Sequence, residues 1–268
     1  DPQTGMFMYY MPQKPGHWKI YSTPDSSFWC CVGTGMENHA QYGRSIYFHS
    51  QQELYVSQFI ASSLEWKQKG VRVIQQTGFP EEEKTHLTIE TGQETRFTLK
   101  IRVPWWAYDG CHITVNGQPV KATRLPSSWV SINRVWKGGD QVEVQFPFTL
   151  HEARMPDDPS KLAVMYGPLV LAARLGSEGL NDEMRYLKNQ RAMHKAPSID
   201  VPDLRLNGRQ PDEWLEPIPG RKMTFRTVEA GVPAEFTMVP YHMITQQRYN
   251  IYFQQIDYQE LPKPWDFE

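Results

Sequence analysis

The sequence predicts a mainly β protein, and three observations carry that expectation. Aromatic residues make up 13% of the 268 positions, and 21 prolines accompany 18 glycines, the mixture expected of many short strands broken by frequent turns. Between about residues 46 and 150 the apolar residues recur with period two rather than 3.6. No long helical pattern separates these segments, so they read as successive strands of a β-sandwich and not as alternating β and α units.

The elements follow in order. Glu53–Ile60, Val71–Ile74, His86–Glu90 and Arg96–Val103 alternate apolar and polar residues and read as half-buried strands. Ile113–Val115 and a run from Val120 flank Asn116-Gly117, a dipeptide that accepts the positive φ angles of a tight hairpin. Trp129–Ile132 and Gln141–Phe146 complete the series, with Gly138-Gly139-Asp140 turning between them. A polar, turn-rich stretch at His151–Ser160 marks a boundary. Beyond it, Lys161–Tyr166 and Leu169–Ala173 are almost continuously apolar and read as well-buried strands separated by Gly167-Pro168. Residues 177–222 are polar and interrupted by proline, offering isolated pieces, and strand signals return at Lys222–Val228, Ala234–Val239 and Arg248–Phe253. A second all-β unit over 151–268 is the resulting expectation.

Composition excludes several classes. With 40% hydrophobic and 22% charged residues the chain can build a core, which sets it apart from disordered and disulfide-scaffold proteins. No apolar run approaches the ~20 residues of a membrane-spanning helix. Lys+Arg 28 against Asp+Glu 30 gives a net charge of -2 without a basic block, so no nucleic acid partner is expected.

The amino-terminal part differs. Residues 1–27 carry no clean period and read as an irregular connection with short extended pieces. Thr34-Gly35-Met36-Glu37 has the form of a capping box and predicts a short helix from there to about Gly43. The chain opens on Asp1-Pro2-Gln3 with neither an initiator methionine nor a signal peptide, which suggests a piece of something longer.

Three cysteines cannot all pair, and the adjacent Cys30 and Cys31 could bridge each other only through a strained ring. Cys111 reads as a small side chain at the start of a strand. The pair sits just ahead of the expected helix, where the dipole and free amides favour thiolate, the form that attacks carbon or binds zinc. Two adjacent cysteines supply only part of a tetrahedral zinc set, so functional thiols and buried structural cysteines both remain open on spacing alone.

The run Phe28-Trp29-Cys30-Cys31-Val32-Gly33-Thr34-Gly35-Met36-Glu37-Asn38-His39 resembles the Cys-Cys segment of the bacterial β-L-arabinofuranosidases of glycoside hydrolase families 127 and 146. The similarity continues through Asp1–Phe7, Arg102-Val103-Pro104-Trp105-Trp106-Ala107, Val115-Asn116-Gly117, Tyr166–Ala172 and Gln247–Tyr252, and so covers most of the chain. The resemblance implies an (α/α)6 catalytic barrel followed by two β-sandwiches. On this reading residues 1–45 are the terminal segment of a barrel whose remainder is absent, 46–150 the first sandwich and 151–268 the second. It also implies a retaining mechanism on arabinose-containing plant glycans. Cys30 matches the nucleophile and one zinc ligand, and Cys31 matches a second zinc ligand. The other ligands, a glutamate and a cysteine, and the acid/base glutamate fall upstream in the family. The upstream barrel would therefore be an obligatory partner, and this chain alone is expected to be inactive. The family has cytoplasmic and exported members, so location stays open.

Other residues have plainer readings beside their functional ones. Trp105 and Trp106 could stack on a sugar, but neighbours in an extended chain point to opposite faces, so at most one is presented on a given side. His39 could be a ligand or a packed helix residue. Glu81-Glu82-Glu83-Lys84 reads as a solvated loop, and no pair of carboxylates is spaced for two-carboxylate glycoside hydrolysis. Tyr249, Tyr252 and Phe253 read as strand packing. The competing function is a non-catalytic carbohydrate-binding or structural β-sandwich module.

Overall fold

The structure is a computed structural model that describes residues 1–27, 29–121, 125–186 and 196–259. Phe28 of the cysteine motif, the continuation of the run from Val120 over 122–124, and 187–195 within the polar stretch lie outside the described residues. The chain is mainly β and divides into two compact units, Glu37–Phe148 and a unit formed by Asp1–Met36 with Thr149–Glu268. No helix among the described residues is long and apolar enough to cross a membrane.

The Glu37–Phe148 unit is a sandwich of a six-stranded and a four-stranded sheet. The larger runs in the order Gln118–Pro119, His112–Val115, Asp140–Gln145, Lys84–Thr91, Val71–Thr77, Ser62–Trp66. The smaller runs Ser128–Trp136, Thr95–Val103, Glu53–Val56, Tyr47–His49, with Glu53–Val56 parallel to its neighbour Thr95–Val103. Period two now has its physical cause: Val71, Val73, Leu87, Ile89, Val142 and Val144 of one sheet meet Leu54, Val56, Phe97, Leu99 and Ile101 of the other in one buried cluster. Burying each such side chain contributes about 1.5–3 kcal/mol.

The hairpin forms as its dipeptide requires, with Val115 opposite Gln118 and positive φ at Asn116 (50°) and Gly117 (76°). Asn116 also ties the turn to the next strand, donating to Asp140 (2.7 Å) and accepting from the Gln141 amide (2.8 Å). A Cβ at position 117 would meet nothing within 4 Å. Gly117→Ala should therefore cost only the left-handed backbone penalty, about 1 kcal/mol, measurable as a lower urea midpoint with unchanged slope.

Departures from the expected strands have local causes. The segment read as Glu53–Ile60 leaves its sheet after Val56, because the buried Gln75 amide donates to the carbonyls of Gln58 (3.1 Å) and Ile60 (2.9 Å) in place of a ladder. The chain then forms the edge strand Ser62–Trp66, whose sequence carries too few apolar residues to announce itself.

In the other unit a nine-stranded sheet includes Leu150–Arg154, Lys161–Tyr166, Leu169–Arg174, Thr237–Pro240, Phe225–Thr227 and Leu215–Pro217 along its main path. Leu162, Val164, Leu171 and Ala173 enter one core, shared with Leu204 and Trp214, while Ala163 and Ala172 enter another, shared with Tyr249 and Ile251. A sheet covered on both faces explains why these two strands read as continuous apolar runs. Leu150–Arg154, an edge strand, occupies part of the stretch read as a boundary. The expected strand Arg248–Phe253 is split, since Arg248–Asn250 pairs with Leu169–Arg174 whereas Phe253–Gln254 pairs with Lys161–Tyr166. His17–Trp18 adds to this sheet beside Arg248–Asn250, and Met8–Tyr10 pairs with Ile20–Tyr21.

Candidate active site

The cysteines lie on a helix, α1 (Cys30–His39), that begins four residues before the expected start. The Trp29 carbonyl opens it by accepting from the amides of Val32 (2.9 Å) and Gly33 (3.3 Å). Thr34 is consequently interior, and its hydroxyl donates back to the Cys30 carbonyl (3.2 Å) rather than capping an amide. The capping-box reading is corrected on that ground. Cys30 and Cys31 occupy the first turn itself, both exposed, with Sγ atoms 3.8 Å apart. Val32 anchors the turn in the interior, and a Cβ on Gly35 would stand 3.3 Å from the Phe7 ring, so the absent side chain lets that ring approach the helix.

Tyr9 is the neighbour that sequence reasoning missed. It comes from the strand Met8–Tyr10, its ring edge-on to Trp29 at 4.8 Å, and its phenol lies beside the Cys31 side chain. Burial, the neighbouring Cys31 and the nearby Cys30 push this phenol above the ordinary tyrosine range. No periodicity in residues 1–27 signalled the contact, which depends on the pairing of Met8 with Tyr21 across an intervening loop.

The thiols can be compared with what zinc requires. Tetrahedral zinc about 2.3 Å from each sulfur holds two sulfurs about 3.8 Å apart. The Cys30–Cys31 separation of 3.8 Å matches two corners of that tetrahedron. Among the described residues no third histidine, cysteine, aspartate or glutamate joins them in a metal-holding group, so the fit extends to half of a ligand set.

The remaining candidates are placed as follows. His39 ends α1 with its ring edge-on to Tyr42 at 5.3 Å. Trp106 is buried against Phe79, Phe146 and Phe148, while its neighbour Trp105 is 56% exposed, as opposite-facing neighbours require. Cys111 is buried just before the strand His112–Val115. Glu83 holds a turn by accepting from the Phe148 amide (3.2 Å), whereas Glu81 and Glu82 are exposed. Tyr249 and Phe253 are core residues.

Lys19 carries a pH signature in the same unit as the cysteines. It is 4% exposed, donates to the Tyr241 carbonyl (2.8 Å) and lies 4.2 Å over the Tyr241 ring. Burial pulls its ammonium down to about 8 from the ordinary 10.5. Below pH 8 both folded and unfolded chains hold this proton, and the folded chain bears the desolvation penalty; above pH 8 only the unfolded chain holds it, so stability rises with pH. The rise should run from pH 8 to about 10, where unfolded tyrosines begin to ionise while burial holds Tyr21 up at about 12. Thermal unfolding across that window is expected to show an increasing Tm that Lys19→Met flattens.

The sequence matches the GH127 β-L-arabinofuranosidase catalytic domain over residues 1–44 and the GH127 middle domain over 53–148. Residues 141–255 match a domain family of unknown function. A non-reducing end β-L-arabinofuranosidase from Bifidobacterium longum subsp. longum is 26% identical over 238 residues, 80% of this chain and 34% of that protein, so the chain spans about a third of its length. A crystal structure of a GH127 β-L-arabinofuranosidase from Geobacillus stearothermophilus T6 superposes with a TM-score of 0.70 at 18% identity, covering 95% of this chain and 43% of that one. A second solved GH127 β-arabinofuranosidase gives a TM-score of 0.62 at 21% identity, covering 94% and 42%.

Proposed function

Because the chain is a GH127-like carboxyl-terminal part, related to the β-L-arabinofuranosidases, we propose that it supplies Cys30 as the nucleophile of a retaining hydrolysis of L-arabinofuranosides in plant glycans. The observation that carries this reading is the exposed pair of thiols, 3.8 Å apart, on the first turn of α1 within the segment that matches the catalytic family. The Cys30 thiolate attacks the anomeric carbon, the bond to the leaving oxygen breaks, and a thioglycoside forms. Water then displaces the sulfur with a second inversion, so configuration is retained overall.

Cys30 and Cys31 would hold zinc, which when bound would keep the sulfur anionic at neutral pH. Tyr9 packs beside the Cys31 side chain. The leaving oxygen needs a proton, and the resemblance places the acid/base glutamate in the upstream barrel. The chain by itself is therefore inactive on this reading, with acid catalysis and the remaining metal ligands supplied by a barrel segment of the longer protein.

Cys30→Ser in that longer protein should lower the turnover of an aryl β-L-arabinofuranoside by at least about 10³-fold. Full turnover by the serine variant would remove the nucleophile, and efficient turnover by this chain alone would remove the need for a further segment. Zinc content measured on both cysteine variants tests the metal independently of activity.

A further inference from the structure

The outer face of the four-stranded sheet gathers aromatic rings and positive charge. Alternate residues of its strands Tyr47–His49, Glu53–Val56, Thr95–Val103 and Ser128–Trp136 fill the core, so their neighbours face outward. Phe48 stands opposite Tyr55, Tyr55 opposite Lys100, and Trp129 opposite Arg102. The row crosses four strands, about 14 Å at the usual strand spacing. Phe48 is 51% and Trp129 39% exposed, and the Trp129 and Tyr55 rings meet edge to face, with centroids 5.2 Å apart and planes at 87°. Such rings offer large contact areas at low conformational cost on a backbone fixed by strand pairing. Arg96, Lys100 and Arg102 share this face on one strand, whereas the four strands carry a single carboxylate, Glu53. Glu53 is taken up by Lys100 (3.1 Å) and by the Tyr55 hydroxyl (2.5 Å). Arg96 donates to the Asn133 side-chain carbonyl (3.3 Å), and among the described residues neither it nor Arg102 forms an ion pair. A chain of net charge -2 thus keeps uncompensated positive charge beside three rings.

We propose that this face binds an acidic glycan, a run of uronate sugars laid across the strands. A sugar ring has an apolar C–H face, which the exposed surfaces of Trp129 and Phe48 can cover, and the Arg102 guanidinium can pair with a uronate carboxylate. Charge complementarity selects this occupant. A neutral glycan would leave Arg96 and Arg102 without a counter-charge, and a polyanion lacking sugar faces would leave the rings uncovered. That the ligand is a glycan rests on the reading of the chain as part of a glycoside hydrolase. The rings and charges themselves do not involve the cysteines.

The test is isothermal titration calorimetry of the full chain with oligogalacturonate, a linear arabino-oligosaccharide, polyglutamate and single-stranded oligothymidylate. Oligogalacturonate should bind with a Kd below about 1 mM, and more weakly as salt is raised, because exposed charges are screened. Trp129→Ala and Arg102→Gln should each weaken it at least about tenfold, and Trp129→Phe should recover part of the loss. Circular dichroism melts guard against misfolding, and Arg102→Gln, at an exposed position, should leave the Tm unchanged and keep the test decisive if Trp129→Ala unfolds. No binding of oligogalacturonate, or equal affinity for the arabino-oligosaccharide, polyglutamate or oligothymidylate, would overturn the proposal. Concentration-dependent self-association abolished by Trp129→Ala would also overturn it, assigning the face to contacts between copies. The titration reads binding without turnover, so its failure leaves the Cys30 nucleophile standing, and an active Cys30→Ser variant leaves the binding face standing.

Discussion

Arg248→Met is expected to destabilise its unit by about 3–5 kcal/mol, despite replacing a charged residue by an apolar one of similar length. The guanidinium is 2% exposed, lies 5.1 Å over the Trp18 ring, and has every nitrogen engaged. Nε donates to the Glu178 carbonyl (3.0 Å), Nη1 to Gly16 (2.8 Å) and Nη2 to Pro197 (2.9 Å). Burial lowers its pKa from the ordinary arginine value, with Glu178 acting in the opposite direction. Methionine could fill much of the volume but would leave three carbonyls without their donor, each costing about 1–3 kcal/mol if it stays dry. Arg248→Lys separates charge from geometry: an ammonium keeps the charge but lacks the planar fork that reaches three separated carbonyls, so most of the loss should remain. Urea unfolding followed by far-ultraviolet circular dichroism measures both variants. A lysine variant as stable as the wild type would show that the fork is dispensable.

The same residue marks where the sequence stops being readable. Arg248 binds Gly16, more than 230 residues away, and the strand that carries it pairs with His17–Trp18. Nothing periodic announces such a pairing, because residues 14–18 contribute only two strand positions. By contrast, Leu87 and Ile89, or Val142 and Val144, declare their inward face locally, since alternate residues must share one side of a strand. The edge strands Ser62–Trp66 and Leu150–Arg154 are half-exposed and lack that contrast, so they escape notice. At the candidate site the cysteine pair was legible from its motif. Its place on α1 was not, because Thr34 and Glu37 imitate a helix start that the Trp29 carbonyl has already provided. Tyr9 reaches Cys31 only through tertiary packing, which no spacing within residues 1–27 encodes.

Trp136→Ala should destabilise the Glu37–Phe148 sandwich by about 3–5 kcal/mol, the range for removing a large aromatic from a close-packed core. Trp136 is fully buried at the end of the strand Ser128–Trp136, stacked on Phe97 at 5.4 Å with 24° between planes. Its indole donates to the Phe97 carbonyl (3.1 Å), and the Arg134 guanidinium lies 5.1 Å over the ring. Alanine would remove the stack, the hydrogen bond and the surface that Arg134 covers, leaving a cavity that paired strands can close only in part. Phenylalanine keeps most of the stack and loses the hydrogen bond, so Trp136→Phe should cost less, about 1–2 kcal/mol. Trp105→Ala serves as the internal comparison, since a ring that is more than half exposed should shift stability by under about 0.5 kcal/mol. Calorimetry of the three variants would rank them Trp136→Ala, Trp136→Phe, Trp105→Ala in order of lost stability. A Trp105 variant as damaging as Trp136→Ala would mean that the exposed ring braces the fold, and the ranking by burial would fail.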